Sequence, residues 1–132
     1  MIAAAVFLLM AVQGDESKVD CKSPDTQYDM NMCAGRRAEG EDAALNRQWV
    51  KTKAVMAKRD ADEVGVRADG DPSYVNALLA SQRAWLAFRN AECKIESYSM
   101  RHGSAQSLEF SGCIVTLTAE RTRRLAQLAK DL

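Results

Sequence analysis

The sequence predicts an all-α protein, a small antiparallel bundle of three to four helices tied by two disulfides. Three observations lead there. Apolar side chains recur every three or four positions through most of the chain, and no segment alternates convincingly with period two. Helix start and stop signals stand at Asp25-Thr26, Asp71-Pro72 and His102-Gly103. Four cysteines, Cys21, Cys33, Cys93 and Cys113, form an even set in a chain of 132 residues, one domain's worth of polypeptide.

The chain begins with an apolar run, Met1 to Val12. A bilayer span needs about 20 such residues, so this run fits the core of a signal peptide better than a transmembrane helix. Val12-Gln13-Gly14 supplies small residues at the −3 and −1 positions of a cleavage site. The expected division is therefore a signal peptide over 1–14, an extended leader over 15–25 and a helical domain over 26–130. The competing reading of the first segment is a buried N-terminal helix. No cysteine directly follows the apolar run, so neither lipid attachment nor a stable membrane anchor is expected after cleavage.

Thr26, with Asp29 three positions later, reads as a capping box that uses the shorter acid. From there Met30, Cys33/Ala34, Arg37/Ala38, Glu41, Leu45, Trp49, Thr52 and Met56 keep helical step. Gly40 costs about 1 kcal/mol relative to alanine and marks an expected kink or a boundary between two helices. Residues 61–73 lose the periodicity and carry Gly65, Gly70 and Pro72, so they form the main loop. Asp71 as N-cap with Pro72 at the first helical position then opens the next helix. Its stripe runs through Val75, Leu78/Leu79, Gln82, Trp85/Leu86, Arg89 and Cys93 to about Arg101. Gly103 offers the left-handed residue that stops it. Ser104 or Ser107 is the expected cap of a last helix, whose stripe is Phe110, Cys113/Ile114, Leu117, Arg121, Arg124/Leu125 and Leu128.

This layout selects one of the three possible disulfide pairings. Cys93 and Cys113 each lie about two turns from the reversal at Gly103, so an antiparallel hairpin brings them together. Cys21 precedes a helix and Cys33 lies about two turns inside it, so the leading segment folds back along that turn. Cystines also fit an oxidising, extracytoplasmic compartment, periplasmic or secreted. Zinc is the competing use of the cysteines. There is no Cys-x-x-Cys pair, however, and His102 is the only histidine.

Composition removes several function classes. Lysine plus arginine and aspartate plus glutamate both number 18, so no net field draws the chain to nucleic acid or an anionic membrane. Glycine-rich phosphate loops and cofactor motifs are absent, so no cofactor is expected. The acidic clusters around Glu39-Glu41-Asp42 and Asp60-Asp62-Glu63 read as solvated helix faces. His102 reads as a helix-end residue rather than a base, and a non-enzymatic role follows. The unusual feature is the helix face holding Gln82, Trp85 and Arg89. An internal reading packs the Arg89 stem on Trp85, pairs its guanidinium with a carboxylate or helix end, and lets Asn46 and Gln82 satisfy each other. The external reading presents Arg83, Arg89 and their neighbours to a protein partner.

Four ordered motifs carry a resemblance. Met30-Asn-Met-Cys33-Ala34, Asp42-Ala-Ala-Leu-Asn46 with Trp49, Gln82-Arg-Ala-Trp85-Leu-Ala-Phe-Arg89-Asn-Ala-Glu-Cys93, and Cys113 with Leu117-Thr118 and Arg121 to Leu125 together resemble the lysozyme inhibitor LprI-like family. They cover roughly residues 21 to 128. The resemblance implies an exported, helical, disulfide-bonded domain whose partner is a protein, with a lysozyme as the target that the family's name implies. The inhibitory reading has the chain occlude a lysozyme cleft, with Arg67 in the long loop and Arg101 and His102 in the turn as contact residues. The other is a cell-envelope interaction or assembly module with a different protein partner.

Overall fold

The computed structural model describes residues 18–64 and 69–132. The proposed signal segment 1–14 and the candidate contact residue Arg67 lie outside the described residues. Helix α1 spans Gln27–Asp62, α2 spans Tyr74–Glu96, and α3 spans Gln106–Asp131; a 3-10 turn, Ser97–Met100, follows α2. They form an all-helical bundle closed by two disulfides, Cys21–Cys33 and Cys93–Cys113. Helix α3 packs mainly along α1, and α2 leans against both.

At 36 residues, α1 is about 54 Å long. Its start is the capping box read from sequence: the Thr26 side chain accepts from the Asp29 N–H at 3.0 Å, and the Asp29 carboxylate accepts from the Thr26 N–H at 3.2 Å. Gly40 does not divide it. The glycine is exposed inside an unbroken helix, so the described residues form three long helices, not four. Burial of Cys33, Ala34, Leu45, Thr52 and Met56 on either side of Gly40 outweighs its propensity cost.

The cap of α2 differs from the Asp71-Pro72 expectation. Ser73 is the N-cap, its hydroxyl accepting from the Asn76 N–H at 3.1 Å. The reason is tertiary. Asp60, near the end of α1, accepts from the N–H groups of Tyr74 at 2.8 Å and Val75 at 3.1 Å. A carboxylate from another helix thus satisfies two of the four orphan donors and complements the helix dipole. Tyr74 adds an O–H bond to Glu63 at 3.0 Å.

The reversal between α2 and α3 also differs in detail. The α-helix ends at Glu96 and tightens into the 3-10 turn, where buried Ser97 donates to the Lys94 carbonyl at 2.8 Å. His102, not Gly103, takes the left-handed conformation, with φ 67°. Gly103 instead eases a close approach: a β-carbon there would lie 3.2 Å from the Met100 carbonyl oxygen, a tight contact. Neither Ser104 nor Ser107 caps α3, whose N-cap is Ala105 without a side-chain bond. Gln106 ties the turn from within, accepting from the His102 N–H and donating to Ser97.

Two apolar clusters fill the bundle. One is Leu45, Met56, Leu78 and Leu125, with Trp49, Tyr74, Val75, Trp85 and Leu128 packed around it. The other is Cys93, Cys113 and Ile114, joined by Ala38, Phe110 and Leu117.

Candidate functional site

The two apolar clusters are separated by a polar layer. On α1, Asp42 lies between Ala38 and Leu45; on α2, Arg89 lies between Trp85 and Cys93; on α3, Thr118 lies between Ile114 and Leu125. These three residues meet. Arg89 Nη1 donates to Asp42 Oδ1 at 2.5 Å and to Thr118 Oγ1 at 2.9 Å, while its Nε reaches Asn90 Oδ1 at 3.3 Å. Arg89 is only 8% exposed and Thr118 is fully buried, whereas the Asp42 side chain keeps 46% of its surface. One end of the ion pair is therefore hydrated, which reduces the cost of carrying the other into the core.

Trp85 binds this layer to a second one. Its ring lies 5.2 Å from the Arg89 guanidinium carbon and 5.7 Å from that of Arg121. Arg121 donates from Nε to Gln82 Oε1 at 2.9 Å and from Nη2 to Ser81 Oγ at 3.0 Å. Desolvation lowers the Arg121 pKa from its ordinary value, and the nearby Arg124 charge lowers it further. Gln82 is thus satisfied by Arg121 of α3. Asn46, the partner expected from sequence, lies exposed on α1. Lower in the same interface, fully buried Thr52 donates to the Leu125 carbonyl at 2.9 Å and accepts from Gln48. Among the described residues no buried side-chain nitrogen or oxygen lacks a hydrogen-bond partner.

Other candidate residues fall at the surface. Arg83 is exposed on α2 and Arg124 on α3, the latter outside the inward stripe to which its spacing assigned it. Trp49 is half-buried against the larger apolar cluster. Arg101 and His102 are exposed at the end of the bundle. The Arg101 guanidinium sits 4.6 Å from the Tyr98 ring centre, and Lys94 approaches the same ring at 5.7 Å. Asn31 of α1 fixes the turn from the other side, donating to the Ser104 carbonyl at 2.9 Å. Beside it opens a hollow of about 500 Å³ lined by Lys94, Ser97, Gly103, Ser104, Gln106, Ser107 and Phe110. At the same end, Arg36 holds the leading segment, reaching the Val19 carbonyl and Cys21 Sγ.

No group of three or more histidine, cysteine, aspartate or glutamate side chains able to hold a metal occurs among the described residues. No described helix is long and apolar enough to cross a membrane. What the helices do share is a specific inter-helix register, set by Asp42, Arg89 and Thr118, and this register coincides with the motifs quoted from the sequence. A profile of the family described as lysozyme inhibitor LprI matches residues 20–125, which takes in both disulfides and the polar layer. The chain belongs to the LprI family.

Relatives agree with that placement. The R02472 protein of Rhizobium meliloti strain 1021 is 33% identical over 136 residues, covering 98% of this chain and 95% of its own. The YecT protein of Escherichia coli K12 is 30% identical over 115 residues, 80% of this chain and 69% of its own. A solved structure of a DUF1311 family protein from Pseudomonas putida KT2440 superposes with a TM-score of 0.65 at 21% identity, covering 82% of this chain and 96% of that one. At that identity it shows a shared fold. LprI membership and two closed cystines place the chain outside the reducing cytoplasm, in the periplasm or secreted.

Sequence reasoning singled out Gln82, Trp85 and Arg89 because polar groups occupied an apolar stripe. It missed Thr118, and it read Asp42 and Asp60 as parts of solvated acidic faces, whereas Asp42 pairs with Arg89 and Asp60 caps α2. A threonine at a helical position and an aspartate in an acidic helix end are ordinary in sequence, and only their partners on other helices give them meaning. The cue for Thr118 was its position, one residue after Leu117 and seven before Leu125 in the α3 stripe.

Proposed function

We propose that this chain is a non-enzymatic binding protein that docks on a lysozyme and blocks its active-site cleft. The observation that carries the reading is the match of residues 20–125 to the lysozyme inhibitor LprI family. Supporting it is the turn at the end of the bundle. Arg101 is exposed, stacked on Tyr98, and held on a reversal braced by Asn31, Gln106 and the Cys93–Cys113 bond. Glycosidase clefts carry a pair of carboxylates, so a preorganised cation at a protruding turn is suited to plug one at low entropic cost. His102 beside it extends the same contact, and Arg67, which precedes α2 in sequence and lies outside the described residues, is a second candidate cation. The polar layer at Arg89 supports the frame and makes no contact with the target.

The test is turnover of a cell-wall substrate by lysozyme in the presence of the mature, disulfide-intact protein. Inhibition that saturates with added protein is expected, and Arg101→Glu should weaken it at least tenfold while leaving the melting temperature unchanged. Unaltered turnover at large molar excess overturns the reading for each lysozyme tried.

A further inference from the structure

The balance of 18 cationic and 18 acidic side chains over the chain conceals a segregation along α1. From Ala43 to Arg59 the helix carries Arg47, Lys51, Lys53, Lys58 and Arg59 and no acid. All five cations are exposed. The acids that bound this stretch, Asp42 and Asp60, are turned to α2, the one bonded to Arg89 and the other capping the helix. Farther out, Glu39 precedes the stretch and Asp62 follows it, pairing with Lys58. Lys130 of α3 adds a cation, since it lines the same hollow as Lys58 and Arg59.

Between the cations runs a strip of small apolar side chains. Ala43, Val50, Ala54, Ala57 and Ala61 recur at helical spacing on the side opposite buried Leu45, Thr52 and Met56. All are exposed, Val50 to 68%. Arg47, Lys51 and Lys58 line one edge of the strip and Lys53 the other, as the helical repeat of 100° per residue places them. The strip is straight and about 27 Å long.

We infer that this face of α1 lies reversibly on an anionic lipid surface. The charge is of one sign where the face meets its partner, and each cation near such a surface strengthens binding about fivefold. The small apolar side chains let the helix approach the headgroups, while the long stems of the cations reach outward to the phosphates. A protein partner fits less well, because the face offers neither a pocket nor an aromatic anchor. Nucleic acid would need stacking platforms, and no aromatic side chain is exposed between Ala43 and Ala61. Whole-chain neutrality removes a long-range field, but a patch acts within a Debye length, about 10 Å at 0.1 M salt.

The test is sedimentation of the disulfide-intact protein with lipid vesicles. Binding is expected to phosphatidylglycerol mixed with phosphatidylcholine, and none to phosphatidylcholine alone. Salt raised from about 0.01 M to about 1 M should release the protein, as the Debye length falls about tenfold. Arg47→Glu combined with Lys51→Glu should weaken binding at least about tenfold. Arg83→Glu combined with Lys94→Glu, on exposed positions of α2, makes the same change in net charge and should have little effect. Unchanged helical circular dichroism confirms folding of both variants. Absence of binding to the anionic vesicles overturns the proposal, as does equal weakening by the two pairs. Binding to inorganic polyphosphate without binding to vesicles overturns the lipid assignment. No lysozyme is present, so failure here is distinct from failure to inhibit it.

Discussion

Arg89 is the residue on which the three helices agree. Its guanidinium ties α1 at Asp42 to α3 at Thr118 and rests against Trp85 of its own helix. Truncation to alanine removes a charged hydrogen bond, strands the fully buried Thr118 hydroxyl and leaves a cavity between the apolar clusters. The expected cost of Arg89→Ala is about 3 kcal/mol, or a melting temperature lower by more than 10 °C in a domain of this size. Arg89→Met keeps the stem packing and should lose about half as much. Thermal melts of the two variants check this; equal losses would show that packing contributes little of the effect. Asp42 stays partly hydrated, so Asp42→Asn should cost less than either arginine substitution. The oddity of Arg89 was legible in the sequence, because an arginine stood in an apolar stripe. Its partners were not, since they come from 47 and 29 positions away and no local signal spans such distances.

At the scale of elements, helix ends show how local rules and tertiary contacts divide the work. Thr26 and Asp29 cap α1 with groups three residues apart, and that cap was readable. Helix α2 begins where Asp60 of α1 can reach its N–H groups, and Ser73 completes the cap. The turn after α2 is the place of local conflict. His102 holds φ 67° while the adjacent glycine spends its lack of a side chain on a close approach to Met100. A left-handed residue with a β-carbon costs about 1 kcal/mol, which glycine avoids. His102→Gly should therefore stabilise by up to about 1 kcal/mol, and Gly103→Ala should destabilise by a similar amount. Urea denaturation midpoints of both variants test the pair. An exchange of their signs would overturn both the strain at His102 and the crowding at Gly103.

At the scale of the molecule, the two cystines brace the same end of the bundle in different ways. Cys93 is fully buried and Cys113 nearly so, in an apolar cluster, whereas Cys21 is exposed on the leading segment. Each bond closes a short loop, for which restriction of the unfolded chain contributes about 3 kcal/mol. Paired replacement of Cys93 and Cys113 by serine should cost more than that of Cys21 and Cys33, because it also places two hydroxyls in the core. Limited reduction followed by alkylation and mass mapping should label Cys21 and Cys33 first. Labelling of Cys93 and Cys113 ahead of them would show that the hairpin opens before the leading segment detaches.

By itself, the sequence determined the helical class and the family and favoured the cysteine pairing that the structure then closed, because period, cap chemistry and cysteine spacing are local or nearly local properties. Tertiary structure decided the rest. It kept α1 continuous through Gly40, started α2 at Ser73, joined Gln82 to Arg121 and left a basic face of α1 uncovered. Each of those outcomes depends on what stands across the bundle from a residue. Side-chain burial and charge pairing between distant segments settle such questions with energies of one to a few kcal/mol, as large as the local preferences they override.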